Sequence, residues 1–108
     1  IMTAYAIANL RDVAMGPEIE TYLRLIDETL APFGGRFLVH GARPEVVEGE
    51  WVGDLIVIAF PGLVHLRQWY ASDAYQSILP LRRDNSSGPV VFVEGVSADH
   101  RATDILAT

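Results

Sequence analysis

This sequence predicts an α+β domain with the element order β-α-β-β-α-β, and three observations predict it. A strand alternating small and large residues leads into one strongly amphipathic helix. Two Gly-rich turns separate three further apolar strands. A capped helical pair stands between the last two of them.

Residues 3–10 read as the first strand, with Thr3, Tyr5, Ile7 and Asn9 on one face and Ala4, Ala6, Ala8 and Leu10 on the other. The alanine face lets a helix approach closely. Pro17 suits a first helical position, and Ile19, Tyr22, Leu23, Ile26, Leu30 and Phe33 repeat at the spacing of one apolar stripe. Glu20, Arg24, Asp27 and Glu28 form its solvated side. Gly34-Gly35 ends that helix, and a two-residue alternation runs from Arg36 to His40 and stops at Gly41. Residues 42–52, with Pro44, Gly49 and mixed charge, read as an arm or irregular hairpin before a third strand at 54–60. Pro61-Gly62 breaks the strand. A helix from Leu63 to about Ala71 restarts at Ser72-Asp73, which cap a second short helix through Leu79. The loop 83–88 leads to a fourth strand, 89–96. The domain is expected over 2–96, with 97–108 a polar, weakly packed tail.

Composition excludes several chemistries. The chain has 108 residues, enough for one core. With no cysteine and no lysine, thiolate catalysis, Cys-ligated metals, disulfides and Schiff bases are ruled out, and a reducing cytoplasm is compatible. A net charge of −6, with basic residues that never run longer than Arg82-Arg83, argues against nucleic acid and anionic membranes as partners. The longest apolar run, Leu55 to Phe60, is too short for a bilayer, and no basic segment followed by an apolar one opens the chain. The expectation is a soluble cytoplasmic protein. His40, His65 and His100 fall in different elements without metal-ligand spacing, so neither a metal nor another intrinsic cofactor is expected. No Gly-rich phosphate loop or Gly-x-Ser-x-Gly elbow is present.

Split βαβ units in this order close as a ferredoxin-like, four-stranded antiparallel sheet with its helices on one side. Residues 55–60 and 90–93 are apolar at every position, so the face away from the helices also needs cover. Four strands about 4.8 Å apart and about 17 Å long present a projected area of roughly 300 Å². That is at or above what monomers expose, and a face-to-face homodimer is the expected solution.

Gly34-Gly35-Arg36-Phe37 with Gly41, Glu48-Gly49, Phe60-Pro61, Trp69-Tyr70 with Ser72, Tyr75-Gln76, Arg82 and Glu94-Gly95 occur in a joint order. In these residues the chain resembles the domain-of-unknown-function family 1330 of the dimeric α/β-barrel superfamily. The resemblance implies a ferredoxin-like fold and a barrel made by two sheets. It implies no established activity, although relatives in the superfamily include cofactor-free monooxygenases, lactone isomerases and haem-degrading enzymes.

A barrel interior directs attention to polar residues on inward strand faces: Asn9, His40, Arg36 and Glu94, with Tyr5 beside Asn9. One assignment of faces gathers them. In it, His40 moves a proton to or from a carbon acid, Asn9 donates to the developing oxyanion, and Arg82 holds a substrate carboxylate among Trp69, Tyr70 and Tyr75. Each residue has a plainer reading. His40 suits a strand edge, Asn9 a turn, Glu94-Gly95 a strand end, Trp69 and Tyr75 the core or a dimer contact, and Arg82 the terminal carbonyls of its helix. Two functions stay open: a cofactor-free acid-base enzyme acting on a small carbonyl or anionic compound in the barrel, and a module that binds a small-molecule ligand or partner without catalysis.

Overall fold

The computed structural model describes residues 2–107. Its elements are β1 (Ala4–Leu10), α1 (Pro17–Leu30), β2 (Arg36–Val39), β3 (Asp54–Phe60), α2 (Leu63–Ala71), α3 (Asp73–Arg83) and β4 (Val90–Glu94), with short 3-10 turns at Ala31–Phe33 and Ala102–Ala107. The strands form one antiparallel sheet in the order β2-β3-β1-β4, which is the ferredoxin-like arrangement.

Register fixes which side chains share a face. Ala4, Ala6 and Ala8 lie opposite Phe60, Ile58 and Ile56 on one neighbour and Glu94, Phe92 and Val90 on the other. This is the helical side: Ala4, Ala6, Ile58 and Phe60 are buried in one core with Tyr22, Ile26, Leu66, Trp69, Tyr75 and Ile78. The opposite face carries Tyr5, Ile7, Leu55, Val57, Val91 and Val93, and no helix covers it. The molecule is only 19 Å through its thin axis, the depth of one sheet and one helical layer. Val91 is 50% and Val93 45% exposed on this open face.

Glycine ends α1 for a steric reason. Gly34 turns with φ 71°, and a Cβ on Gly35 would stand 2.7 Å from Phe60 Cε2 and 2.8 Å from Leu30 Cδ2, so β2 enters the sheet only where the side chain is hydrogen. The second cap is as expected, with Ser72 Oγ accepting from Tyr75 N at 3.2 Å.

Some boundaries differ from the sequence expectation. α3 does not stop at Leu79 but continues through Pro80 to Arg83. Proline forfeits only the bond to the Gln76 carbonyl, its ring is on the exposed side, and Asn85 Nδ2 and Ser86 Oγ satisfy the carbonyls of Leu81 and Arg82 at 2.8 Å each. In the α1 stripe Leu23 is exposed, while Thr29 is buried because its hydroxyl donates to Ile26 O at 2.7 Å and accepts from Trp69 Nε1 at 3.0 Å. β4 is shorter than the expected 89–96. The tail is exposed at every described residue except the half-buried His100, and Thr108 lies outside them.

Candidate functional site

The alanines of β1 do not bring a helix into close contact along their whole length. Above Ala6 and Ala8 the short side chains leave room between sheet and helices, and a cavity of about 350 Å³ occupies it. α1 supplies Ile19, Tyr22 and Ile26 to its walls, α2 supplies Trp69 and Tyr70, and α3 supplies Tyr75 and Arg82. The mouth is at the end of the sheet where β1 runs out, between Val13, Met15, His40, Asp54 and Val90.

The cavity is apolar along its length and polar at one cluster. Tyr22 and Tyr75 share a hydroxyl–hydroxyl hydrogen bond of 2.8 Å, and their rings meet edge to face at 6.2 Å. Arg82 Nη2 donates to Tyr75 Oη at 3.5 Å, and its guanidinium carbon stands 6.0 Å from the Tyr22 ring centre. The Trp69 ring packs against that of Tyr75 at 4.0 Å, tilted by 41°, and holds it in place. Burial works against the Arg82 charge, but the Tyr75 and Tyr22 hydroxyls outweigh it, and the guanidinium rises above its ordinary value. Among the described residues no carboxylate lies within ion-pair distance of Arg82; the ion pair there is His100 with Asp104. A half-buried cation therefore faces a largely apolar cavity with two phenols beside it and no carboxylate within ion-pair distance.

Burial, then the neighbouring Tyr75, push the Tyr22 phenol well above its ordinary 10.0. An acid held neutral by folding contributes stability that is fully present below about pH 10 and lost as the pH climbs above it, because the unfolded chain then releases the proton more readily. Melting temperatures between pH 8 and 12 are expected to be flat and then to fall, and Tyr22→Phe to flatten the alkaline limb; an identical limb in the variant would assign the effect elsewhere.

The structure brings Arg82, Trp69, Tyr75 and His40 to one cavity, but not all the residues expected together. A bulge between Phe37 and Val39 shifts the register of β2, so Arg36 faces the open side opposite Ala59 while His40 stacks on Phe37 at 4.4 Å and reaches the helical side. Parity had put Arg36 and His40 together. Asn9 and Tyr5 lie on the open face. The Asn9 amide is occupied, with Nδ2 donating to Val52 O at 2.8 Å and to Asp54 O at 3.4 Å while Oδ1 accepts from Arg11 Nε at 2.9 Å. Glu94 is on the helical side but at the far end of β4, exposed and outside the cavity wall. The cavity that the protomer itself forms is on the helical side of the sheet. Tyr22 was the residue missed: its hydroxyl was the one polar group in an otherwise apolar stripe.

Fold and cavity together define a class, the ferredoxin-like α+β proteins with a pocket between sheet and helices. Within it, the chain belongs to the family described as Domain of unknown function (DUF1330), whose model matches residues 3–96. The resemblance carried by the Gly34-Gly35 to Gly95 residues is thus borne out. No curated protein matches the sequence. Among solved structures, a protein of unknown function, RPA0582 from Rhodopseudomonas palustris, superposes with a TM-score of 0.64 at 13% identity over 89% of this chain and 84% of its own. SnoaB, a cofactor-independent oxygenase from Streptomyces nogalater, gives 0.61 at 14% identity over 94% and 100%. A dimeric ferredoxin-like protein of unknown function from Thermobifida fusca YX gives 0.56 at 17% over 89% and 92%. At these identities the likeness is one of fold.

Among the described residues no helix is long and apolar enough to cross a membrane.

Proposed function

We propose that this protein is a cytoplasmic homodimer whose protomers each carry out acid-base chemistry, isomerase- or oxygenase-like, on a compact apolar compound bearing one acidic or carbonyl oxygen. The observation that carries this reading is Arg82, a half-buried cation without a carboxylate partner at the polar cluster of an apolar cavity. Its bond to Tyr75 is long, at 3.5 Å, and a guanidinium has five donors to give. A substrate oxygen that gains charge as a neighbouring C–H proton leaves fits there, accepting from Arg82 and from the Tyr75 hydroxyl. His40 at the mouth supplies an imidazole that takes the proton. The carbanion so formed is reprotonated at another carbon or passes its electrons to dioxygen. The fold shared with a cofactor-independent oxygenase supports the second outcome by analogy, and the uncovered sheet face supports the dimer.

The test uses pocket-sized β-dicarbonyl compounds and phenols in D2O. Deuterium incorporation at the acidic carbon, followed by NMR, and dioxygen uptake, followed with an electrode, are expected to exceed the buffer rates and to be abolished by His40→Gln. Unchanged rates in that variant would remove His40 from the mechanism. One observation favours the alternative of ligand binding without catalysis: His40 is exposed and held by ring stacking alone, with no hydrogen bond to set its tautomer. Saturable binding with no exchange across the whole panel would select that reading.

A further inference from the structure

The segment between β2 and β3, residues 42–52, has no regular structure and little contact with its own chain. Val46, Val47 and Val52 are 50%, 87% and 67% exposed, an apolar set that the protomer leaves in water. What anchors it is at its base, where Trp51 Nε1 donates to Gly53 O at 2.9 Å and Asn9 Nδ2 to Val52 O at 2.8 Å. Asn9 points to the open face of the sheet, so the returning stem lies over that face and away from the protomer's own helices and pocket. The radius of gyration, 15.3 Å, exceeds the roughly 13 Å of a compact chain of this length, as a projecting arm requires.

A second exposed apolar set is on β4. This strand ends the sheet with one unpaired edge and is exposed along its length: on the helical side Val90 is 38% exposed and Phe92, which meets Tyr70 edge to face at 5.4 Å, 36%, against 5% for Ala6 and Ile58 on the same side. Val90 is also part of the cavity wall, which is thin at this seam.

We propose that residues 42–52 form a clasp that lies along the β4 edge of the second copy and completes the outer wall of its pocket beside Val90 of the partner subunit. The proposal rests on the homodimer reading. Two sheets stacked face to face with aligned strands, related by a two-fold axis parallel to those strands, place the β2 edge of each over the β4 edge of the other, at the same end. The arm leaves β2 at the end where Asp54 pairs with Leu10, and β4 begins at that end, with Val90 opposite Ala8. Each protomer thus has its apolar arm where its partner has an uncovered apolar edge, twice in the dimer. The Asn9 amide, which holds the stem over the open face, is a positioning group for this contact.

The chain has no cysteine, so introduced thiols are read without background. Val47→Cys and Val90→Cys are made separately, the purified proteins are mixed and allowed to exchange subunits, and a short bis-maleimide is added. A covalent dimer in the mixture, absent when either variant is treated alone, is the expected result. A species that sediments as a dimer yet gives no cross-link in the mixture, or a double variant that links only within one chain, would overturn the clasp and leave the dimer standing. Sedimentation as a monomer would remove the dimer and the clasp together.

Discussion

Arg82→Met is expected to weaken binding of an apolar monoanion by about 10- to 100-fold while leaving the affinity for its neutral ester unchanged. A hydrogen bond to a charged group contributes about 1.5–3 kcal/mol, and tenfold in affinity is about 1.4 kcal/mol. Methionine fills much of the same volume without a charge to desolvate. In the free protein the guanidinium is half-buried, with the Tyr75 hydroxyl at 3.5 Å and the Tyr22 ring centre at 6.0 Å, so most of its donors are left for a ligand. Naphthalene-2-carboxylate is a suitable probe, with its methyl ester as the neutral control; Trp69, in the cavity wall, reports binding by fluorescence. Loss of affinity for the acid alone identifies Arg82 as a ligand group. Equal loss for acid and ester, with a lower melting temperature, would make it a structural brace of α3.

Val57→Asp is expected to convert the dimer to a monomer. Val57 sits mid-sheet on the open face, paired with Ile7, and is half-exposed in the protomer, so a carboxylate there is tolerated as long as that face is wet. In a stacked pair both copies of the aspartate are dry. At about 3 kcal/mol or more for each uncompensated carboxylate, two cost roughly 6 kcal/mol, some four decades in Kd. Sedimentation velocity at micromolar concentration reads the result, and an unchanged far-UV circular dichroism spectrum shows that the protomer stays folded. A Val57→Asp dimer would mean that the open face is not the contact.

The fold was legible because its signals are local. Pro17 and Gly34-Gly35 bracket α1, Ser72 caps α3, and residues 55–60 have no polar break, so each element announces itself without its neighbours. The site was less legible because it depends on things a linear reading does not contain. Parity along 36–40 assumed a regular ladder, and one bulge after Phe37 sent His40 to the other side of the sheet. The alanine row was read as a surface for close helix packing, whereas above Ala6 and Ala8 the space is a pocket. Arg82 was singled out as a cation following the capped helix among Trp69, Tyr70 and Tyr75, and the extension of α3 to Arg83 sets it two turns after Tyr75 on one helical face. Its isolation from every carboxylate was not readable, since counter-charges come from other elements. The same holds for the arm: its composition marks it as irregular, but only Asn9, 43 residues from Val52, shows which way it leaves the sheet.

The central claim is that the pocket lies between sheet and helices, with Arg82 as its charged contact, and a crystal structure with naphthalene-2-carboxylate bound tests it most directly. The account predicts the carboxylate within hydrogen-bond distance of Arg82 and the Tyr75 hydroxyl, with the rings over Ala6 and Ala8. A probe lodged instead between the open faces of two sheets, beside Ile7 and Val57, would contradict it.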